Sequence, residues 1–168
     1  VEESKNPKGI FLQNVCLYFA NKDSTLPVTV QIRPTKNGYP HPSAIVPFSE
    51  KVIYPDSITV DANSPTAKTE VVFDSPIFLE PGEYSLCIAS NSSDYEVYTA
   101  TTGNSELGSG NRIQKPVYGG KLFHPQNTNI SEPDYTRDLM FSMKNCVFEN
   151  SGSSRSFTLT STNSGSDH

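Results

Sequence analysis

Apolar residues in this chain recur at every second position, in short runs closed by proline, glycine or asparagine. A spacing of two places alternate side chains on opposite faces of a strand. The clearest run is Pro27-Val28-Thr29-Val30-Gln31-Ile32-Arg33-Pro34, where Val28, Val30 and Ile32 share one face and Thr29, Gln31 and Arg33 the other. It predicts a half-buried strand with its prolines at the two ends, where they disturb the ladder least. Residues 9–20 predict an earlier strand that is apolar on both faces, with Phe11, Val15, Leu17 and Phe19 on one and Leu12, Cys16 and Tyr18 on the other. Residues 66–73 alternate again, setting Thr69, Val71 and Phe73 against Glu70, Val72 and Asp74. Tyr84, Leu86 and Ile88 form one face of a further strand, and Leu139, Phe141 and Met143 one face of a late one.

The punctuation between these runs is equally specific. Asn37-Gly38 predicts a tight reversal, because both residues tolerate positive φ. Glu80-Pro81-Gly82-Glu83 carries Pro then Gly at its centre, the signature of a type II turn. Residues 43–48 and 50–54 predict one strand interrupted at Pro47. Residues 102–137 are rich in Gly, Ser, Asn and Pro and predict a long loop region with a small hairpin around Gly119-Gly120. Loops of that length are usually functional or mobile. No segment shows sustained helical spacing. Roughly eight to ten short strands with turn signals between them predict an all-β fold, an antiparallel β-sandwich that is jelly-roll-like. The 168 residues suit one domain, assigned to residues 1–149, with residues 150–168 as a Ser-rich C-terminal tail or edge strand. Val1 in first place, where a complete gene product would carry Met, predicts processing or excision from a longer chain.

Composition narrows the function. The net charge is −5 and no basic cluster exceeds a residue or two. Nucleic-acid binding needs Lys and Arg gathered on one face, so it is not expected. No apolar stretch approaches the roughly 20 residues of a membrane-spanning helix, so membrane insertion is not expected either. Cys16, Cys87 and Cys146 are widely spaced, unlike a disulfide framework or a zinc site. They read as buried small hydrophobes, with a single Cys16–Cys87 bridge as the alternative.

His41, His124 and His168 are isolated, and no metal-ligand spacing surrounds them. The acidic residues lie mostly in turns, and Glu132, Asp134 and Asp138 share a loop without calcium-loop spacing. No nucleophile elbow or phosphate-cradling loop occurs. The expectation is therefore a protein with no enzyme activity, no cofactor and no metal. Tyr95, Tyr98 and Tyr118 flank the long loop region, near Arg112 and Asn127. A flat tyrosine ring beside such polar side chains can hold a sugar or a partner, so these five are the candidate ligand-binding residues. The alternative is that each tyrosine caps the core with its hydroxyl at the surface.

Several phrases occur in a telling order: Val15-Cys16-Leu17-Tyr18-Phe19, Asn21-Lys22-Asp23, Leu26-Pro27-Val28, Asn37-Gly38-Tyr39-Pro40, Pro76-Ile77-Phe78-Leu79-Glu80-Pro81-Gly82-Glu83-Tyr84, Gly120-Lys121-Leu122-Phe123, Asp138-Leu139-Met140-Phe141 and Val147-Phe148. Over residues 9–148 the chain resembles a β-sandwich module of long virion proteins in contractile-tailed phages, in baseplate or tail-fibre-associated chains. Two positions depart from that pattern: Tyr98 replaces an expected Trp, and the stretch after Gln126-Asn127 lacks one. The resemblance implies a structural or host-attachment role in a phage tail, with other virion proteins, copies of itself or a cell-surface glycan as partners. It implies no enzyme activity. Free cysteines suit assembly in a reducing bacterial cytoplasm. The alternative is a carbohydrate-binding module of a secreted or surface protein, located outside the cell.

Overall fold

The computed structural model describes residues 1–101, 121–123, 125–126, 129–130 and 133–147. The apolar alternation becomes strands β1 (Ile10–Asn21), β2 (Val28–Lys36), β3 (Tyr39–Pro40), β4 (Lys51–Ile53), β5 (Lys68–Leu79) and β6 (Tyr84–Ser90). Shorter strands follow: β7 (Glu96–Val97), β8 (Thr99–Thr101), β9 (Pro125–Gln126), β10 (Asn129–Ile130), β11 (Arg137–Leu139) and β12 (Phe141–Asn145). The one helical element among the described residues is a single 3-10 turn, Pro55–Ser57.

Two four-stranded antiparallel sheets face each other. In the first, β1 is central, with β5 along one edge. Its other edge is shared end to end by β12, opposite residues 12–17, and by β7, opposite Phe19 and Asn21. In the second, β2 is central, with β6 paired along residues 28–34 on one side and β4 and β3 on the other. Because β1, β5 and β7 lie in one sheet and β2, β4 and β6 in the other, the chain repeatedly crosses between layers. The fold is thus all-β, an antiparallel β-sandwich of the expected class. Two small two-stranded ladders, β8–β11 and β9–β10, are the remaining pairings among the described strands.

The core fills the space between the sheets. Val15, Leu17, Phe19, Val71 and Ile77 from the first meet Val28, Val30 and Ile32 from the second, all at most 2 % exposed. The alternation on β2 and β5 falls as the sequence predicts, with Thr69, Val71 and Phe73 inward and Glu70, Val72 and Asp74 exposed. On β1 the predicted faces need correction. Leu12 joins the core, and Phe11 lies on the opposite face, 38 % exposed. The cause is a β-bulge: Leu12 pairs with Asn145 and Asn14 with Lys144, leaving Gln13 as an extra residue. One extra residue inverts the inward phase along the strand. On the β5 side residues 73–76 leave the ladder opposite Gln13, where Pro76 has no N–H to contribute.

Asn37 and Gly38 adopt φ of 55° and 79° and close the predicted β2–β3 reversal. Residues 43–48 form no strand, contrary to the alternation there. Instead Val46 and Ser49 are pinned to β2 between its pairings with β4 and β3. The Val46 N–H donates to the Ile32 carbonyl at 2.8 Å. The fully buried Ser49 hydroxyl accepts the Ile32 N–H at 3.2 Å and lies 2.7 and 3.0 Å from the Val46 and Ile32 carbonyl oxygens. Nor does a type II turn form at residues 80–83, since Gly82 stands at φ 158°, far from the roughly +80° that turn requires.

Cys16, Cys87 and Cys146 are free thiols. Cys16 alternates with core residues Val15 and Leu17, and Cys87 with Leu86 and Ile88. Each therefore points away from the shared core, on opposite outer faces of the sandwich, which rules out the Cys16–Cys87 bridge.

Side chains tie the loops to this frame. Lys22 donates to the Pro55 and Ile58 carbonyls, both at 2.7 Å, and holds the 3-10 turn. Asp23 accepts the N–H groups of Thr25 and Leu26 and, through its other oxygen, the Ser92 hydroxyl at 2.6 Å. These bonds, the Ser92 hydroxyl foremost, hold the Asp23 carboxyl far below its ordinary pKa. The unfolded chain takes up that proton near pH 4, the folded one only at much lower pH. The stabilisation is therefore complete above about pH 4 and lost as pH falls toward the folded value. Asp23→Asn is expected to flatten the decline of the thermal midpoint below about pH 4. Melts followed by circular dichroism test this, and an unchanged slope would count against it.

Candidate functional site

The expected tyrosines come first. Tyr95 packs its ring edge-on against Phe19, with centroids 6.1 Å apart, and its hydroxyl donates to the Leu26 carbonyl. Tyr98 donates its hydroxyl to the Asp61 carbonyl at 2.7 Å and its N–H to the Tyr18 carbonyl. Both are partly buried, and both hydroxyls act as ties between chain segments remote in sequence. Tyr118, Arg112 and Asn127 lie outside the described residues, as does the hairpin expected around Gly119-Gly120.

Ionisable groups are likewise engaged locally. His41 accepts the N–H groups of Ser43 and Ala44 at Nδ1 and shapes its own turn. Asp134 accepts the Thr136 N–H and hydroxyl at 2.8 and 2.7 Å. Burial pushes the Asp138 carboxyl up from its ordinary range. Among the described residues no three His, Cys, Asp or Glu side chains converge as metal ligands.

A different surface stands out. The Val46 carbonyl accepts the Ser49 N–H at 3.1 Å, closing a turn with Pro47 and Phe48 at its centre. Pro in the first central place and a positive φ in the second define a type II turn, where Gly or Asn is normally required. Here the second place is Phe48, at φ 64°. A bulky residue in that region costs about 1–2 kcal/mol. Burial does not offset the cost, because Phe48 is 76 % exposed. The turn cannot relax, since Val46 and Ser49 on either side are fixed to Ile32.

Phe48 overhangs a groove of about 510 Å³. Its floor and walls come from Pro34 at the end of β2, Pro76 and Phe78 on β5, and Tyr84 at the start of β6. Phe78 is 44 % exposed and lies against Phe11 with centroids 4.9 Å apart. Gly9 makes room for that ring: a Cβ there would stand 2.9 Å from it and 2.5 Å from the Leu79 carbonyl. The Tyr84 hydroxyl donates to the Glu80 carbonyl at 3.2 Å, fixing the phenol at the groove's end. Glu80 is the charged residue of the lining. The surface is thus apolar, aromatic and proline-stiffened, able to seat a side chain but lacking a nucleophile or proton-transfer pair.

Sequence reasoning places Pro47 as a strand break and singles out neither Phe48 nor Phe78, and so misses this surface. Val46-Pro47-Phe48-Ser49 does carry proline in a turn-favouring place, but the glycine that normally accompanies it is replaced. Phe48→Gly is expected to raise stability by about 0.5–1 kcal/mol, the strain relieved less the extra freedom of glycine in the unfolded chain. That is about 1–4 °C in midpoint for a chain of this size. A thermal melt checks it, and a lower midpoint would mean that the ring contributes packing.

Comparison of the chain with family models, curated proteins and solved structures finds no match in any of the three.

Proposed function

We propose that this chain is a structural module of a phage tail or baseplate, working by protein–protein contact, and that the Phe48 groove is its contact surface. The observation that carries the reading is an aromatic ring held out to solvent by a backbone conformation that favours glycine. Neither local preference nor packing accounts for it, and strained backbone with exposed aromatic side chains is a mark of binding sites. The ordered phrases that resemble contractile-tail virion modules supply the assembly context. Tyr95 and Tyr98, the two described residues of the five candidates for ligand binding, have hydroxyls already donated to main-chain carbonyls.

A photoreactive phenylalanine analogue at position 48, in the full chain expressed in its source, tests this directly. Particles purified after irradiation are expected to carry the chain cross-linked to a neighbouring particle subunit. The same analogue at Glu96, an exposed residue of β7, serves as the control. Cross-links no more frequent at 48 than at 96, or absence of the chain from particles, would defeat the proposal.

A further inference from the structure

Resting on the groove reading above, we infer that the occupant is an extended segment that presents an apolar side chain next to a lysine or arginine. The apolar half follows from the lining: Pro34, Pro47, Pro76, Phe48 and Phe78 offer rings and no hydrogen-bond donors. Aromatic-lined grooves dock extended, proline-rich segments whose preformed backbone needs little further ordering.

The basic half follows from charge. Glu80 lines the groove itself. A neighbouring hollow of about 400 Å³, formed with Pro81 and Gly82, is edged by Glu2, Glu3 and Glu83. Among these four carboxylates only Glu2 has a side-chain cation as partner, Lys5 at 2.7 Å. The cation within the second hollow is the Val1 ammonium, which donates to the Gly82 carbonyl. Lys51 on β4 pairs with Asp74. Glu80, Glu83 and Glu3 therefore have no side-chain cation as ion-pair partner among the described residues. They form an acidic rim along one end of an apolar slot, a field that admits a cationic side chain beside the apolar anchor and rejects an acidic one. The apolar anchor supplies most of the affinity, and the rim supplies the choice of partner.

The test is selection of linear random peptides on the intact chain, run in parallel on Phe48→Ala and on the double variant Glu80→Lys, Glu83→Lys, each checked for folding by its thermal melt. The expected enrichment is an apolar residue within a position or two of Lys or Arg. Binding of the best peptide, read by fluorescence polarisation, is expected to weaken at least tenfold in Phe48→Ala. In the double variant it should weaken about two- to fivefold per charge, with selection turning toward Asp and Glu. Binding should also weaken as salt rises. Enrichment that depends on Phe48 but shows no basic preference, or survives the charge reversal unchanged, overturns this inference and leaves the groove reading intact. Absence of any Phe48-dependent enrichment overturns the inference, and cross-linking at position 48 then decides the groove reading separately.

Discussion

Replacing Phe19 by alanine is expected to remove about 3–5 kcal/mol of stability. Its ring is fully buried and is the largest of the wholly enclosed side chains. It sits where the edge of β1 passes from β12 to β7, opposite Val97, with a parallel bridge to Val60 on its other side. No single neighbouring strand spans that junction, so the Phe19 ring packs across a seam bridged only by short pairings. Tyr95 leans on the same ring while its hydroxyl holds Leu26, so the cavity would also loosen a tie to the start of β2. Against a total of about 5–15 kcal/mol for a domain, the loss is a large share. At about 2–4 °C per kcal/mol it amounts to roughly 6–20 °C in midpoint. Urea unfolding of the variant checks the figure, and a loss under about 1 kcal/mol would mean the junction is held by something other than this ring.

The contrast between β2 and β1 shows what a sequence can carry. Val28, Val30 and Ile32 alternate without interruption because β2 runs straight through the middle of its sheet, and period two alone assigns their faces. On β1 the same rule fails after Leu12, since Gln13 is squeezed out of the ladder by pairings with Asn145 and Ile77. Those partners lie more than sixty residues away, and no local feature announces them. Residues 43–48 fail for a related reason. Their alternation suits a strand, but the edge of β2 that they would join is satisfied by one buried hydroxyl and one main-chain bond instead.

The candidate site was legible in its materials and not in its arrangement. Pro34, Pro47, Pro76 and Phe78 are visible as punctuation and apolar residues, yet they come from three separate stretches that meet only when β2 and β5 face each other. Phe48 is opaque because its turn lacks the glycine that would signal it. The tyrosines offer the opposite lesson. Tyr95 and Tyr98 attract notice by composition, but the acceptors of their hydroxyls, the carbonyls of Leu26 and Asp61, belong to loops no spacing rule connects to them.

Ser49 joins the fold to that surface, and Ser49→Ala is expected to cost about 1–3 kcal/mol. The hydroxyl takes the place of a missing strand, serving the Ile32 N–H and reaching two carbonyls. Removing it leaves a buried N–H without an acceptor, a penalty of about 1–3 kcal/mol, and no water can replace the bond at a residue with no exposure. The methyl that remains fills nearly the same space, so the loss is one of hydrogen bonding and not of volume. Hydrogen exchange distinguishes this cause from general loosening: protection should fall at the Ile32 amide more than at Val28 or Val30, which keep their pairings with β4 and β6. The same hydroxyl holds one end of the turn at Phe48, so the variant should relax the strained backbone and let the ring move off the groove. A stability loss confined to global unfolding, with Ile32 protected like its neighbours, would show that the turn is held by Val46 alone.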